Sequence, residues 1–258
     1  MIFTAIDKRI RRAFSNAAMQ YDVLASLQKE IGRELVKKIG SLDEARTVLD
    51  VGMGTGWMTD RLASLCSDGL VIGVDPALGM LDTACKKYEN LCAIGADARA
   101  LPFKEHTFDI VTSNLAYQWV NDLAKAFEES HRLLKPNGIF CLTMFGQETL
   151  RELFDSLEAV KGEKLFIQRL ASLTDIEKAL AQASFREVHL EKETIKVHFP
   201  DMLTLIKWLK DIGANILPKN GFIGKELLFE ADGFYKKNFS DPLGITATFE
   251  VVWIKAKK

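Results

Sequence analysis

The chain has 258 residues, 48% of them hydrophobic and 27% charged, with a mean hydropathy near zero. That composition excludes a disordered, coiled-coil or fibrous protein, and no apolar run reaches the roughly 18–20 residues of a membrane span. A net charge of −1 argues against a nucleic-acid binder. The N-terminal eight residues carry no secretory apolar region, so the expectation is a cytoplasmic protein with neither membrane nor nucleic-acid partners. Cys66, Cys85, Cys92 and Cys141 form no C-x-x-C pair and the four histidines are scattered. This pattern predicts free thiols packed in the core, no disulfide framework and no metal site.

Charge is uneven along the chain. The first 46 residues carry nine Lys/Arg against six Asp/Glu, while residues 47–146 carry eight against twelve. The early excess lies in Lys8, Arg9, Arg11 and Arg12, a run that suits a solvated helix face or an acidic partner.

In chain order, residues 7–39 read as helix with a break near Ser15-Asn16. Arg46–Val51 is a short β-branched run, hence a strand, and Trp57–Leu65 has helical spacing. Leu70–Asp75 is a second strand, followed by a helix over Ala77–Tyr88 and a weak strand over Leu91–Gly95. Phe108–Ser113 is a strand. Asp122–Leu134 is a helix stopped by Pro136-Asn137-Gly138, and Ile139–Phe145 is the next strand. Strands alternating with helices predict right-handed βαβ units and a parallel sheet.

After residue 146 the rhythm changes. Gln147–Val160, Asp175–Ala183, Met202–Ile212 and Lys225–Lys237 read as helices, and Phe185–Phe199 and Ile245–Lys255 as long strands. The expected fold class is α/β: a Rossmann-like sheet of about seven strands, mostly parallel, with an antiparallel edge hairpin and helices on both faces. One domain is expected over 1–258. Residues 1–45 form a helical cover, 46–146 a ligand-binding core, and 147–258 a C-terminal part with a helical flap at about 200–244, where substrate selection would reside.

The densest chemical signal is Val48-Leu49-Asp50-Val51-Gly52-Met53-Gly54-Thr55-Gly56, between a strand and a helix. Three glycines let the backbone turn sharply and approach a ligand closely. The spacing is G-x-G-x-G with an acid two residues before the first glycine, which differs from the dinucleotide G-x-G-x-x-G. Bare amides at a helix N-terminus favour a phosphate, whereas a carboxylate there suits a cationic ligand. Asp75 ends the next strand, well placed for two ribose hydroxyls. Asp97, in Gly95-Ala96-Asp97-Ala98, follows the third. Three acids after three successive strands lie where open α/β sheets bind ligands.

In this order the motifs resemble the class I S-adenosylmethionine-dependent methyltransferases over roughly residues 46–146. By that resemblance Asp50, Gly52, Gly54 and Gly56 wrap the methionine part, Asp75 holds the ribose, and Asp97 with Ala98 meets the adenine. Met80 either lies against the adenine face or packs in its helix. Asn114 meets the methionine end. The implied cofactor is S-adenosyl-L-methionine, with S-adenosyl-L-homocysteine as product and no metal.

Three further segments narrow the resemblance. They are Phe14-Ser15-Asn16-Ala17-Ala18-Met19-Gln20-Tyr21-Asp22, Ser113-Asn114-Leu115-Ala116-Tyr117-Gln118-Trp119, and Thr143-Met144-Phe145-Gly146 with Thr149–Leu153. With Trp208–Asn215 they resemble the BioC family, the malonyl-[acyl-carrier protein] O-methyltransferases of biotin synthesis. The implied reaction is methyl transfer to the free carboxylate of a malonyl thioester, carried on acyl carrier protein or on coenzyme A. A carboxylate is already ionised at neutral pH, so alignment and desolvation replace a general base. Tyr21 and Tyr117 are the catalytic candidates, and Tyr21, Tyr117, Trp119 and Arg151 the substrate-binding ones. Lys8, Arg9, Arg11, Arg12, Lys207 and Lys210 are candidates for steering an acidic carrier. Other readings are a class I methyltransferase of a different small molecule, a binding-only member, and a relative of an arginine-modifying assembly factor of respiratory complex I.

Overall fold

The structure, a computed structural model, describes residues 4–42, 45–66, 68–164, 170–214 and 224–258. The alternating pattern folds as expected. Strand β1 (Thr47–Val51) leads through α3 (Trp57–Leu65) to β2 (Leu70–Asp75), then through α4 (Leu78–Lys87) to β3 (Cys92–Gly95). Strand β4 (Phe108–Asn114), α5 (Leu123–Leu133) and β5 (Leu134–Phe145) continue the sheet. Two long strands, β6 (Arg186–Phe199) and β8 (Gly244–Lys257), close it, with the two-residue β7 (Ser240–Asp241) paired to β8. The strand order is β3-β2-β1-β4-β5-β8-β6. The first five strands are parallel, while β8 runs antiparallel between β5 and β6. The order reverses beside β1, so the carboxyl ends of β1, β2 and β4 open onto the crevice where such sheets take ligands.

Both faces of the central strands are apolar and covered, while the edge strand β6 is largely exposed. On one face Val48, Val71 and Ile110 pack with Ile31 and Leu35 of α2 (Ser26–Ile39) and Leu153 of α6 (Arg151–Lys161). On the other, Leu49, Val111 and Leu142 pack with Phe127 of α5 and Ile176 of α7 (Leu173–Gln182). Between β6 and β8 the chain inserts α8 (Met202–Asp211) and α9 (Lys225–Asn238), in the segment expected to form a flap. Asn215, at the end of its resemblance segment, lies outside the described residues.

Three local expectations change. The N-terminal helix does not break at Ser15-Asn16. It runs as α1 (Ala5–Leu24), and the break falls at Ala25, at φ −89° and ψ 39°. Ser15 lies where α1 crosses α4 on Gly79, whose Cβ would stand 2.4 Å from the Ser15 carbonyl oxygen. The Ser15 hydroxyl accepts the Gly79 N–H at 3.3 Å. At Ala25 the freed carbonyls of α1 find other donors: Lys29 Nζ reaches Asp22 O at 2.7 Å and Trp208 Nε1 reaches Leu24 O at 3.0 Å, which satisfies a helix end. The helix expected from Gln147 starts only at Arg151, because Leu150 turns to φ +60° and donates its N–H to Thr248 O at 2.6 Å. Residues 147–150 are thereby laid along a cavity wall. Strand β5 starts at Leu134 rather than Ile139, with a bulge that places Asn137 at φ +65°.

Candidate active site

The glycine loop is shaped by the sheet beneath it. The N–H groups of Gly52 and Met53 both donate to Val74 O, at 2.7 and 3.0 Å, and the Gly54 N–H donates to Asp75 Oδ2 at 2.9 Å. Three successive amides are therefore paired inside the protein, so the loop presents no nest for a phosphate. Gly52 is held at φ +77°, and a Cβ on it would stand 2.1 Å from the Ala116 Cβ. Gly54 is at φ +55° with open space where its Cβ would point. Met53, which stands between the glycines, turns its side chain down onto Gly73 instead of narrowing the loop.

Two cavities flank this loop. One runs along the carboxyl ends of the strands, past Gly52, Gly54, Asp75, Met80 and Ala98, and is roofed from α1 by Ile10, Arg11, Phe14 and Tyr21. A smaller one continues past Asp50, Thr55, Gln28 and Asn114 to Tyr21. Both hold buried acids. Asp50 is 1% exposed. Its Oδ2 accepts from the Thr59 hydroxyl at 2.6 Å, while its Oδ1 is buried without a partner. Burial pushes its carboxyl up to about 7, against the Thr59 hydrogen bond and with help from the Asp75 charge. Burial also pushes Asp75 up to about 6, against the N–H groups of Ala77 and Gly54 and the charge of Arg11. Two buried carboxylates, with Asp75 adding to the cost of ionising Asp50, favour a cationic ligand between them. This unpaired Asp50 oxygen and the glycine cradle fit a cofactor bearing an ammonium and a sulfonium.

The largest cavity, about 340 Å³, opens on the other side of Tyr21. Its apolar wall includes Trp119, Phe145, Phe154, Trp208 and Phe249, and Gln28, Gln118 and Arg151 also line it. Tyr21 thus lines all three cavities. Burial, with Asp75 and Asp22 close by, raises its phenol above the usual range, so Tyr21 stays protonated and keeps an O–H to donate. No histidine, lysine or cysteine appears among the described residues that line the largest cavity or the strand-end cavity.

The comparisons agree with this geometry. Residues 49–142 match a methyltransferase-domain family. A malonyl-[acyl-carrier protein] O-methyltransferase of Gallionella capsiferriformans is 35% identical, covering 98% of this chain and 91% of its own length. One of Geobacter sulfurreducens is 33% identical over 98% of this chain and 100% of its own. The chain belongs to the malonyl-[acyl-carrier protein] O-methyltransferase family. Among solved structures, the YcgJ protein of Bacillus subtilis superposes at TM-score 0.63 with 20% identity, over 88% of this chain and 97% of its own. Phosphoethanolamine N-methyltransferase 2 of Haemonchus contortus, in complex with S-adenosyl-L-methionine, gives 0.62 with 21% identity, over 95% and 57%. These two likenesses establish the fold.

Of the residues expected to bind the cofactor, Asp50, Gly52, Gly54, Asp75, Met80, Ala98 and Asn114 line the two cavities flanking the glycine loop. Gly56 instead caps α3 at φ +84°. The amide of Asn114 is engaged at both ends, donating to Gln28 O at 2.9 Å and accepting from Thr143 Oγ1 at 2.8 Å. Trp119 lines both the cofactor and the large cavity, edge-on to Phe14 with centroids 5.4 Å apart.

Two expectations are corrected. Asp97 does not line the cofactor cavity. Its carboxylate grips Arg99, with Oδ1 to Nε and Oδ2 to Nη2 both at 2.8 Å, and Arg99 also pairs with Asp7 of α1 at 3.3 Å. Burial works against ionisation of Asp97, but the Arg99 bonds outweigh it and hold the carboxyl below the usual range. Ala96 and Ala98, on either side of Asp97 in the chain, do line the strand-end cavity. Tyr117 is 1% exposed. Its hydroxyl is bonded to Ser130 Oγ at 2.5 Å and its ring packs on Phe127 and Phe140. It lines the cofactor cavity but not the large one, so its phenol is a core group and no substrate donor.

Other groups escaped the sequence reading. Asp22 accepts Thr55 Oγ1 at 2.9 Å and Lys87 at 2.6 Å, tying the end of α1 to the glycine loop and α4. Burial opposes its ionisation, but the bonds from Lys87, Thr55 and Lys29 prevail and lower its carboxyl. Its place beside Tyr21 in the quoted motif was the available signal. Arg11 turns inward, with Nε on Pro76 O at 2.8 Å, rather than outward toward a carrier. No group of three metal-ligating side chains and no helix able to cross a membrane occurs among the described residues.

Proposed function

We propose that this chain methylates the free carboxylate of a malonyl thioester on acyl carrier protein, an early step of biotin synthesis, and that it does so in the cytoplasm as one methyltransferase unit covered by α1 and the flap. The observation that carries the reading is the meeting, at Tyr21, of a buried two-carboxylate cofactor site with a large apolar cavity, in a chain of this family. When bound, S-adenosylmethionine supplies an electrophilic methyl on a sulfonium, which a carboxylate accepts without giving up a proton, leaving S-adenosylhomocysteine. The unpaired Asp50 oxygen is assigned to the ammonium group and Asp75 to the ribose hydroxyls. The Gly52–Gly54 backbone receives the methionine part, and Met80 and Ala98 the adenine. Tyr21, held protonated, is assigned to the junction, where its hydroxyl donates to a carboxylate oxygen. Trp119 walls the nucleophile from water, which strengthens every polar contact inside. Arg151, half exposed between Glu148 and Glu152 at 4.0 and 3.5 Å, is a rim residue for the carrier-bound arm.

The test is direct. The protein is incubated with methyl-labelled cofactor and, in parallel, malonyl-carrier protein, malonyl-coenzyme A and free malonate. A labelled, base-labile ester on the malonyl-carrier protein is expected, at a rate above the other two. Absence of label on any malonyl thioester overturns the reading.

A further inference from the structure

Two glutamines differ from every other polar side chain in the large cavity. Gln28, on α2, and Gln118, in the turn after β4, are 7% and 8% exposed, and both line the cavity. The carbonyl oxygen of each amide is buried with no hydrogen-bond partner. Native folds rarely bury an amide oxygen unpaired, and two in one cavity wall call for a ligand that completes them. The two ends of a glutamine amide are nearly isosteric, so a half-turn presents either the acceptor or the two donors to that ligand.

The rest of the wall narrows the ligand's chemistry. Arg151 is the one cation among the described lining residues, and its charge is already countered by Glu148 and Glu152. Thr149 has its hydroxyl on Glu250 O at 3.3 Å. Glu148, Asp155 and Glu158 also line the wall and, as carboxylates, offer no donor to an anion, so the donors left to face a carboxylate there are neutral. We propose that Gln28 and Gln118 are substrate-binding residues that hold the malonyl head through amide N–H donation to its oxygens, the free carboxylate first. This assignment rests on the function proposed above.

Neutral donors fit that reaction better than a cation. The carboxylate loses its negative charge as the ester forms, so a guanidinium or ammonium would stabilise the reactant more than the transition state. An amide orients the same oxygens and gives up less as the charge disappears.

Gln118 lines neither cofactor cavity, which makes it the cleaner probe. In Gln118→Leu the KM for malonyl-carrier protein should rise about ten- to a hundredfold, the range of a lost hydrogen bond to a charged group. The Kd for S-adenosylhomocysteine should stay within about threefold, and Tm should hold or rise because an unpaired buried amide has been removed. Inhibition by acetyl-carrier protein, which lacks the carboxylate, should be unaltered. Gln118→Glu, which sets a carboxylate against the substrate's own, should raise KM further at pH 8. A KM within twofold of wild type in Gln118→Leu overturns the assignment, as does a fall in Tm with equal loss toward malonyl- and acetyl-carrier protein, the mark of a structural amide. A wild-type chain that labels no malonyl thioester overturns the function itself, and this assignment with it. Labelling by wild type alongside an unaltered Gln118→Leu overturns this assignment only.

Discussion

Cofactor affinity should depend steeply on pH, and the buried acids set the direction. With its carboxyl pushed up to about 7, Asp50 is about three-quarters ionised at pH 7.5 and about one-thirtieth at pH 5.5. If its ionised form is what holds the ligand ammonium, affinity for S-adenosylhomocysteine falls about 25-fold over that interval. Asp75, pushed up to about 6, deepens the fall. The unliganded protein should respond in the opposite sense. A carboxyl raised above its unfolded value of about 3.9 binds more protons in the native state, so its contribution to stability is complete at low pH and is lost as pH rises through 7.

The assay is calorimetric titration of S-adenosylhomocysteine at pH 5.5, 6.5 and 7.5, for wild type and Asp50→Asn. Wild type should show the steep profile. The variant should bind more weakly at pH 7.5 with a flatter profile, and its unliganded Tm relative to wild type should rise between pH 5.5 and 7.5, because a buried charge no longer has to form. A wild-type affinity constant to within threefold across the range, or an unaltered slope in Asp50→Asn, would refute the assignment of Asp50 to a cation.

Asp75→Ala removes the acceptor of the Gly54 and Ala77 N–H groups as well as the acceptor proposed for the ribose. Cofactor affinity should fall by about 1.5–3 kcal/mol in the same calorimetry, with a lower Tm. Gly52→Ala forces a side chain into a left-handed backbone, at about 1–2 kcal/mol, and onto Ala116 Cβ at 2.1 Å. Thermal melts should show the loss, and ligand should no longer raise Tm. Tyr117→Phe deletes one buried hydroxyl bond to Ser130 and should cost about 1 kcal/mol in denaturant melts, with KM for malonyl-carrier protein unchanged; a raised KM would return Tyr117 to the substrate site. Arg99→Met strips the partner from Asp7 and Asp97, with Arg99 side-chain exposure 10%, and should destabilise by about 3–5 kcal/mol, with hydrogen exchange rising first in the first two turns of α1.

What could be read from the sequence was whatever depends on local order. Trp57–Leu65 and Leu70–Asp75 match the observed elements residue for residue, since glycines and apolar periodicity bound them on both sides. The placing of Asp50, Asp75, Gly52 and Gly54 around one crevice was legible because strand ends in an alternating α/β chain converge whatever the details of packing. Partner choice was not legible. Asp97 is committed to Arg99, two residues on, only because Asp7 arrives from α1 and completes the pair. Tyr117 goes to the core because Ser130, on another helix, offers its hydroxyl. Gln28 and Gln118 are ordinary in composition, and only burial without a partner distinguishes them. The displaced break in α1 has the same origin, because Gly79, Lys29 and Trp208 decide it from a distance.

Charge along α1 takes on a different meaning once partners are known. The basic excess of the first 46 residues suggested a face turned toward an acidic carrier. Arg11 instead reaches inward to Pro76 beside Asp75, while Asp7 of the same helix draws in Arg99 from the core half. Asp22 then fixes the other end to Thr55 and Lys87. Each end of α1 is held by charge over a cavity that needs buried acids to select a cation. Of these three ties, two run from an acid of α1 to a cation of residues 47–146, and Arg11 beside Asp75 runs the other way. Lys8 and Arg12 are the members of the early basic run left exposed, so outward steering by that run reduces to two charges. Salt should then weaken carrier association by an amount set by few contacts, while the contacts that hold α1 down, being partly buried, are screened much less.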